Sequence, residues 1–207
     1  MKSTRRAELL SALMIMSVVV CNSVAPAMAS QLKQDSSVAS MSLGSSRQPA
    51  TFQQEVVNNR KYQVARIFIP AKTDEVWNAL TTYDRATEIY SNVKELKMIN
   101  DNGPNKVIEF NVTSMGGLMK YDYTLDVKEM KADKRIVWTR HSGAFKVNEG
   151  WWQLTPAEGG TLVTYAKFID GGLLMPQALV NGELKKIMPD VLTNLRNAVL
   201  REQIAIK

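Results

Sequence analysis

Apolar and polar residues alternate without a slip from 120 to 127. Tyr121, Tyr123, Leu125 and Val127 fall on one side, and Asp122, Thr124 and Asp126 on the other. A period of two is the mark of a half-buried antiparallel strand. Segments 95–99 and 106–113 precede it around the turn Asp101-Asn102-Gly103-Pro104-Asn105, which predicts a hairpin. Segments 135–141, 150–154 and 161–168 follow it, parted by turns at Ala132-Asp133-Lys134 and Glu158-Gly159-Gly160. So long a meander must curve, and its apolar face needs a partner.

The C-terminal segment supplies that partner. Leu184, Ile187, Met188, Val191, Leu192, Leu195 and Val199 recur at spacings of three and four, with Lys185, Lys186, Asn194, Arg196 and Arg201 mainly opposite. Pro176 and Pro189 each suit a first helical turn, predicting a short helix and then a longer one. Ahead of the meander, 64–69 reads as a strand that stops at Pro70. Thr73-Asp74-Glu75 then opens a helix with Thr73 as its cap, and Val76, Leu80 and Tyr83 share one face beside Trp77. A second short helix is expected over 86–90. The fold class is α+β: a curved antiparallel sheet of about seven strands wrapped on a long C-terminal helix. Such a grip tends to leave space between sheet and helix.

Two segments stand outside this domain. Residues 1–29 read as a signal peptide, with Lys2, Arg5 and Arg6 before an apolar run and Ala27-Met28-Ala29 as the cleavage site. A retained anchor, a lipoprotein site at Cys21 and twin-arginine export at Arg5-Arg6 are the alternatives. The run is short for a span, Val20 is bulky before Cys21, and Glu8 stands where an apolar residue suits twin-arginine export. Residues 30–51 are Ser-rich and aperiodic, a flexible tether, leaving 52–207 as the domain. Cleavage removes Cys21, the one cysteine, so the mature chain has no thiolate for nucleophile, disulfide or metal. It also reduces 26 basic and 20 acidic residues to 23 and 19, a net +4. The basic residues are scattered, which argues against nucleic acid as a partner and allows transient contact with an anionic membrane surface. Protein partners are not specified by these features.

With the elements in order, the chain resembles the START-like superfamily, also called the polyketide cyclase/dehydratase or SRPBCC group. Ile67-Phe68-Ile69-Pro70-Ala71 running into Asp74-Glu75-Val76-Trp77-Asn78-Ala79-Leu80-Thr81-Thr82-Tyr83-Asp84 is similar to its strand-to-helix start. Gly150-Trp151-Trp152-Gln153-Leu154-Thr155-Pro156 and Gly160-Thr161-Leu162-Val163-Thr164-Tyr165 resemble its last paired strands. Pro189-Asp190-Val191-Leu192-Thr193-Asn194-Leu195-Arg196 resembles its closing helix. The likeness spans about 57–201. It implies a helix-grip fold with a tunnel for an apolar ligand, on a scaffold that serves carriers, receptors and cyclases alike.

Catalytic candidates are few. His141 is the single histidine and sits near a strand end, more in keeping with a rim or surface place than with a base. No HExxH and no phosphate-binding glycine loop occurs; Met115-Gly116-Gly117 and Asp170-Gly171-Gly172 read as loops needing positive φ. No metal and no cofactor is expected. Glu109 interrupts an apolar strand, opposite Ile108 and Phe110, and is either a buried acid in the cavity or a strand surface residue. Asn111, Arg140 and Lys167 pose the same choice between head-group anchor and surface. The aromatic residues Tyr90, Tyr121, Tyr123, Trp138, Phe145, Trp151, Trp152 and Tyr165 lie on elements that would enclose the space. Met115, Met119, Met175 and Met188 would give adaptable walls. The candidate ligand-binding set is therefore Tyr90, Glu109, Met115, Met119, Tyr121, Tyr123, Trp138, Trp152, Tyr165, Met188 and Leu192. The expected function is an exported carrier of a lipid, quinone-like or isoprenoid molecule. A cyclase or dehydratase using a tyrosine, Glu109 or His141, and an envelope protein that binds a protein partner, are the alternatives.

Overall fold

A computed structural model describes residues 48–173 and 175–205. The expected leader and nearly all of the tether lie outside the described residues. Eight strands form one antiparallel sheet in the order β1-β2-β8-β7-β6-β5-β4-β3. They are β1 Thr51–Val57, β2 Arg60–Ile69, β3 Val93–Asn102, β4 Asn105–Ser114, β5 Met119–Met130, β6 Arg135–Gly143, β7 Val147–Ala157 and β8 Gly160–Asp170. Helices α1, Thr73–Thr81, and α2, Ala86–Ile89, carry the chain from β2 across to the far edge, where the meander starts back. The last helix, α3, spans Gln177–Ala205 and packs chiefly on β2, α1, α2 and β8.

This is the expected helix-grip architecture with one more strand than expected. The extra one, β1, has the polar centre Gln53-Gln54-Glu55 and forms a sheet edge, so no buried face marks it in the sequence. Its signal is the turn: Asn58 and Asn59 have φ of 49° and 61°, the left-handed pair that a tight hairpin demands. The expected break at Pro189 does not occur either. Helix α3 continues through it for 29 residues. The proline withdraws the N–H that would bond the Lys185 carbonyl, and Lys185 is exposed, where water can take that role. At the first helix, Lys72 rather than Thr73 is the cap position, and its N–H donates to Glu75 Oε2 at 2.9 Å. The Thr73 hydroxyl meets that of Thr161 at 3.1 Å, tying α1 to β8.

Parity along each strand sorts the core. Ala65, Ile67 and Ile69 of β2 face α3 together with Ile108, Val127, Trp152, Val163 and Tyr165. On the convex side Tyr62, Val64 and Ala166 form a separate small cluster with Trp151 and Phe168. The two adjacent tryptophans thus serve opposite faces. A bulge at Thr124/Leu125 in the β5–β6 pairing adds bend, and β6 pairs with β7 only from Arg135↔Gln153 to Trp138↔Gly150.

Candidate functional site

Between the concave face and α3 lies a cavity with about 130 Å³ open to the centres of water-sized spheres. At about 10–15 Å³ for each water, this is room for several ligand atoms rather than a packing defect. The alternating residues of β5 provide one wall, with Tyr121, Tyr123, Leu125 and Val127 all on the lining. They pair in register with Val112, Phe110, Ile108 and Lys106 of β4, and Phe110 stacks on Tyr123 with centroids 5.4 Å apart. Trp152 and Tyr165 sit opposite each other on β7 and β8 and stack at 4.0 Å, 9° from parallel. The Trp152 indole N–H donates to the Tyr90 hydroxyl at 3.2 Å, which fixes the end of α2 against the sheet. Val180, Leu184, Met188 and Val191 of α3 form the floor.

One end of the cavity adjoins a surface depression, with which it shares Asn92, Ser114, Met115, Glu183 and Ile187. Gly116 and Gly117 border that depression with φ of 68° and 93°, as the loop reading expects. Leu118, next to Gly117, and Leu179, on the cavity lining, expose apolar side chains to solvent, as does Leu173.

Of the sequence candidates, Tyr90, Met115, Tyr121, Tyr123, Trp138, Trp152, Tyr165 and Met188 lie together on the lining. Glu109, Met119 and Leu192 do not. Strand parity turns Glu109 to the convex side, since its neighbours Ile108 and Phe110 hold the cavity face. Met119 stands at the mouth of the β4–β5 hairpin, partly exposed, where its sulfur accepts from the Tyr121 hydroxyl. Leu192 is fully buried in the core beside the cavity. His141 is exposed with Nδ1 2.9 Å from Asp126 Oδ1, Asn111 donates to Asp122 Oδ1 at 2.6 Å, and Arg140 donates to the Gly143 carbonyl.

Lys167 is the group that sequence reasoning left undecided and that belongs to the site. It lines the cavity and has neither an ion pair nor a hydrogen bond among the described residues; its ammonium stands 5.8 Å from the Tyr123 ring centroid. Its signal was parity with Val163, Tyr165 and Ile169. Asn148 lies two residues before the expected start of that strand at Gly150; it shares the inner face of β7 with Gly150 and Trp152 and is 0% exposed, behind the lining. Burial pushes the Lys167 amine down to about 8. Burial also lifts the phenols of Tyr123 and Tyr165 and pushes that of Tyr90 up to about 12. At neutral pH these tyrosines are hydrogen-bond donors and not bases. Tyr83 donates to Glu129 at 2.7 Å, and burial, then that carboxylate, raises its phenol too.

Residues 63–199 match the protein family described as polyketide cyclase/dehydrase and lipid transport. Among solved structures, human StAR-related lipid transfer protein 5 aligns at 14% identity, over 75% of this chain and 84% of its own, with a TM-score of 0.62. TTHA0849 from Thermus thermophilus aligns at 21% identity over 67% and 97%, TM-score 0.61. The Zhui aromatase/cyclase from Streptomyces sp. R1128 aligns at 13% over 68% and 93%, TM-score 0.59. These likenesses establish a shared fold. No curated protein sequence matches the chain significantly.

Proposed function

Since the chain belongs to the polyketide cyclase/dehydrase and lipid-transport family, we propose that it is an exported carrier that holds a lipid, quinone-like or isoprenoid molecule between its sheet and α3. The observation that carries this reading is the cavity itself: aromatic and aliphatic walls, a few polar groups, and an end that reaches the surface. Export rests on the basic start, apolar run and small-residue site of residues 1–29. Transient contact with a membrane is supported by the exposed Leu118, next to Gly117 of the depression, and the exposed Leu179 on the cavity lining. Native mass spectrometry and solvent extraction of protein purified from its own source are expected to reveal a bound apolar molecule. An empty interior in that material would overturn the carrier reading, and an intact Met1 on the purified protein would overturn export.

A catalytic reading draws on the family's cyclase members and on Lys167, the lining amine that burial brings close to neutrality. It has lost two of its candidate groups, because Glu109 and His141 stand off the cavity. Its test is turnover: a product formed by the wild type and abolished by Lys167→Met, with ligand affinity retained, would favour it over the carrier.

A further inference from the structure

Lys167 stands on the cavity lining in front of several buried donors without acceptors. Its register partner on β2 is Gln63 and on β7 Gly150, and Gly150 in turn pairs with Trp138 on β6. Gln63 is buried at 2% exposure on the inner face, and its Nε2 has no partner. The indole of Trp138 leans across Gly150, where an added Cβ would meet its Cζ2 at 2.4 Å, and Trp138 Nε1 has no partner either. In the next inward row Asn148 faces Ile169, diagonal to Lys167, with both Nδ2 and Oδ1 unpaired. Its amide lies near enough to the Tyr123 hydroxyl to hold that phenol down slightly against burial, yet outside hydrogen-bond geometry. Diagonal neighbours across strands lie within about 7–8 Å, inside the reach of long side chains. So the Lys167 ammonium on the lining is backed, in two adjacent rows, by three N–H-bearing side chains without partners, of which Gln63 and Asn148 lie behind the lining.

Buried donors are normally satisfied, and a buried cation is normally paired. The lining carboxylate, Glu183, belongs to α3 and lies 3.7 Å from Lys186. The Tyr123 ring gives Lys167 only a weak cation–π contact at 5.8 Å. A carboxylate accepts through about four lone-pair positions, donates nothing and carries the charge opposite to that of an ammonium, so it complements Lys167 as an uncharged ester or alcohol, or a second amine, does not. We propose that the ligand of this cavity is an amphiphile with one acidic end, a carboxylate or equivalent oxyanion held by the lining ammonium of Lys167, its apolar body lying along the aromatic walls. This rests on the reading of the cavity as a ligand site and narrows the ligand to a charge class.

The test is a binding titration of delipidated protein with decanoic acid and 2-naphthoic acid, each beside its methyl ester, by calorimetry and by displacement of a fluorescent apolar dye. The wild type is expected to bind at least one acid about 10-fold or more tighter than its ester, the range of a charge-assisted hydrogen bond. Lys167→Met is expected to remove the advantage of the acid over its ester. Equal wild-type affinity for acids and esters would overturn the acidic-end proposal and leave the carrier reading standing, as would an acid preference that survives in Lys167→Met. Failure of all four probes and of the dye to bind folded protein would overturn the carrier reading and this proposal with it. The acid–ester comparison on the wild type reads the proposal even if the variant fails to fold.

Discussion

Removing the charge of Lys167 should stabilise the empty protein. The amine falls from the ordinary 10.5 to about 8, with burial as the cause. At about 1.4 kcal/mol per pH unit, keeping it protonated in the folded state costs roughly 3 kcal/mol. The sign follows from proton binding. Between about 8 and 10.5 the unfolded chain holds this proton and the folded chain has released it, so wild-type stability gains with rising pH in that window. Below it both states are protonated and the full cost is present. Lys167→Met should therefore exceed the wild type by about 3 kcal/mol at pH 7, roughly 6–12 °C in melting temperature for a domain of this size. At pH 10 the charge-dependent part should shrink below about 1 kcal/mol. Tyr83, Tyr90, Tyr123 and Tyr165 also titrate late, but they are common to both proteins and drop out of the difference. Urea and thermal unfolding of delipidated wild type and variant at the two pH values make the measurement. A variant no more stable at pH 7, or a gain that persists undiminished at pH 10, would refute the idea of a desolvated, unpaired amine.

Trp152→Ala removes the stack on Tyr165 and the bond to Tyr90, and should lower unfolding free energy by about 3–5 kcal/mol in urea; a loss under about 1 kcal/mol would contradict this packing. Gly150→Ala places a methyl 2.2 Å from the Ala166 carbonyl oxygen and 2.4 Å from Trp138. It should cost about 1–3 kcal/mol or more by thermal melting, and a neutral outcome would count against the Gly150–Trp138 geometry. Val180→Trp fills the cavity floor and should abolish retention of a co-purified apolar molecule while the protein still melts cooperatively. Leu192→Ala, buried outside the cavity, should cost about 2–5 kcal/mol and leave retention unchanged in native mass spectra. The reverse pattern would move the ligand site.

Strand periodicity made most of this site legible. Once Tyr121, Tyr123 and Tyr165 are placed inside by alternation, Glu109 must be outside and Lys167 inside, because parity permits nothing else. Charge weighed against that logic for Lys167, since a buried unpaired lysine is unfavourable. Leu192 illustrates a different limit. The apolar stripe of α3 is wide enough that one edge, Val180, Leu184 and Met188, borders the hollow while Leu192, Leu195 and Val199 pack into the solid core. Helical spacing gives both edges the same signature. Edge strand β1 escaped because an edge with a polar centre has no buried face to write into the chain, and α3 runs through Pro189 because packing on both sides outweighs the missing hydrogen bond.

Pro189 also divides α3 mechanically. Beyond it, Asn194 bonds the Ile89 carbonyl, Arg196 bonds that of Gln48, Glu202 pairs with Arg85, and Gln203 bonds Glu75. Before it, a single side-chain bond among the described residues, Gln177 to the Ile169 carbonyl, ties the helix to the sheet. Almost all the α3 residues that floor the hollow belong to this stretch. The C-terminal half is riveted by polar side chains, the N-terminal half scarcely so. The hollow is thus bordered mainly by the half of α3 that side-chain bonds leave to the apolar packing of Val180, Leu184 and Met188.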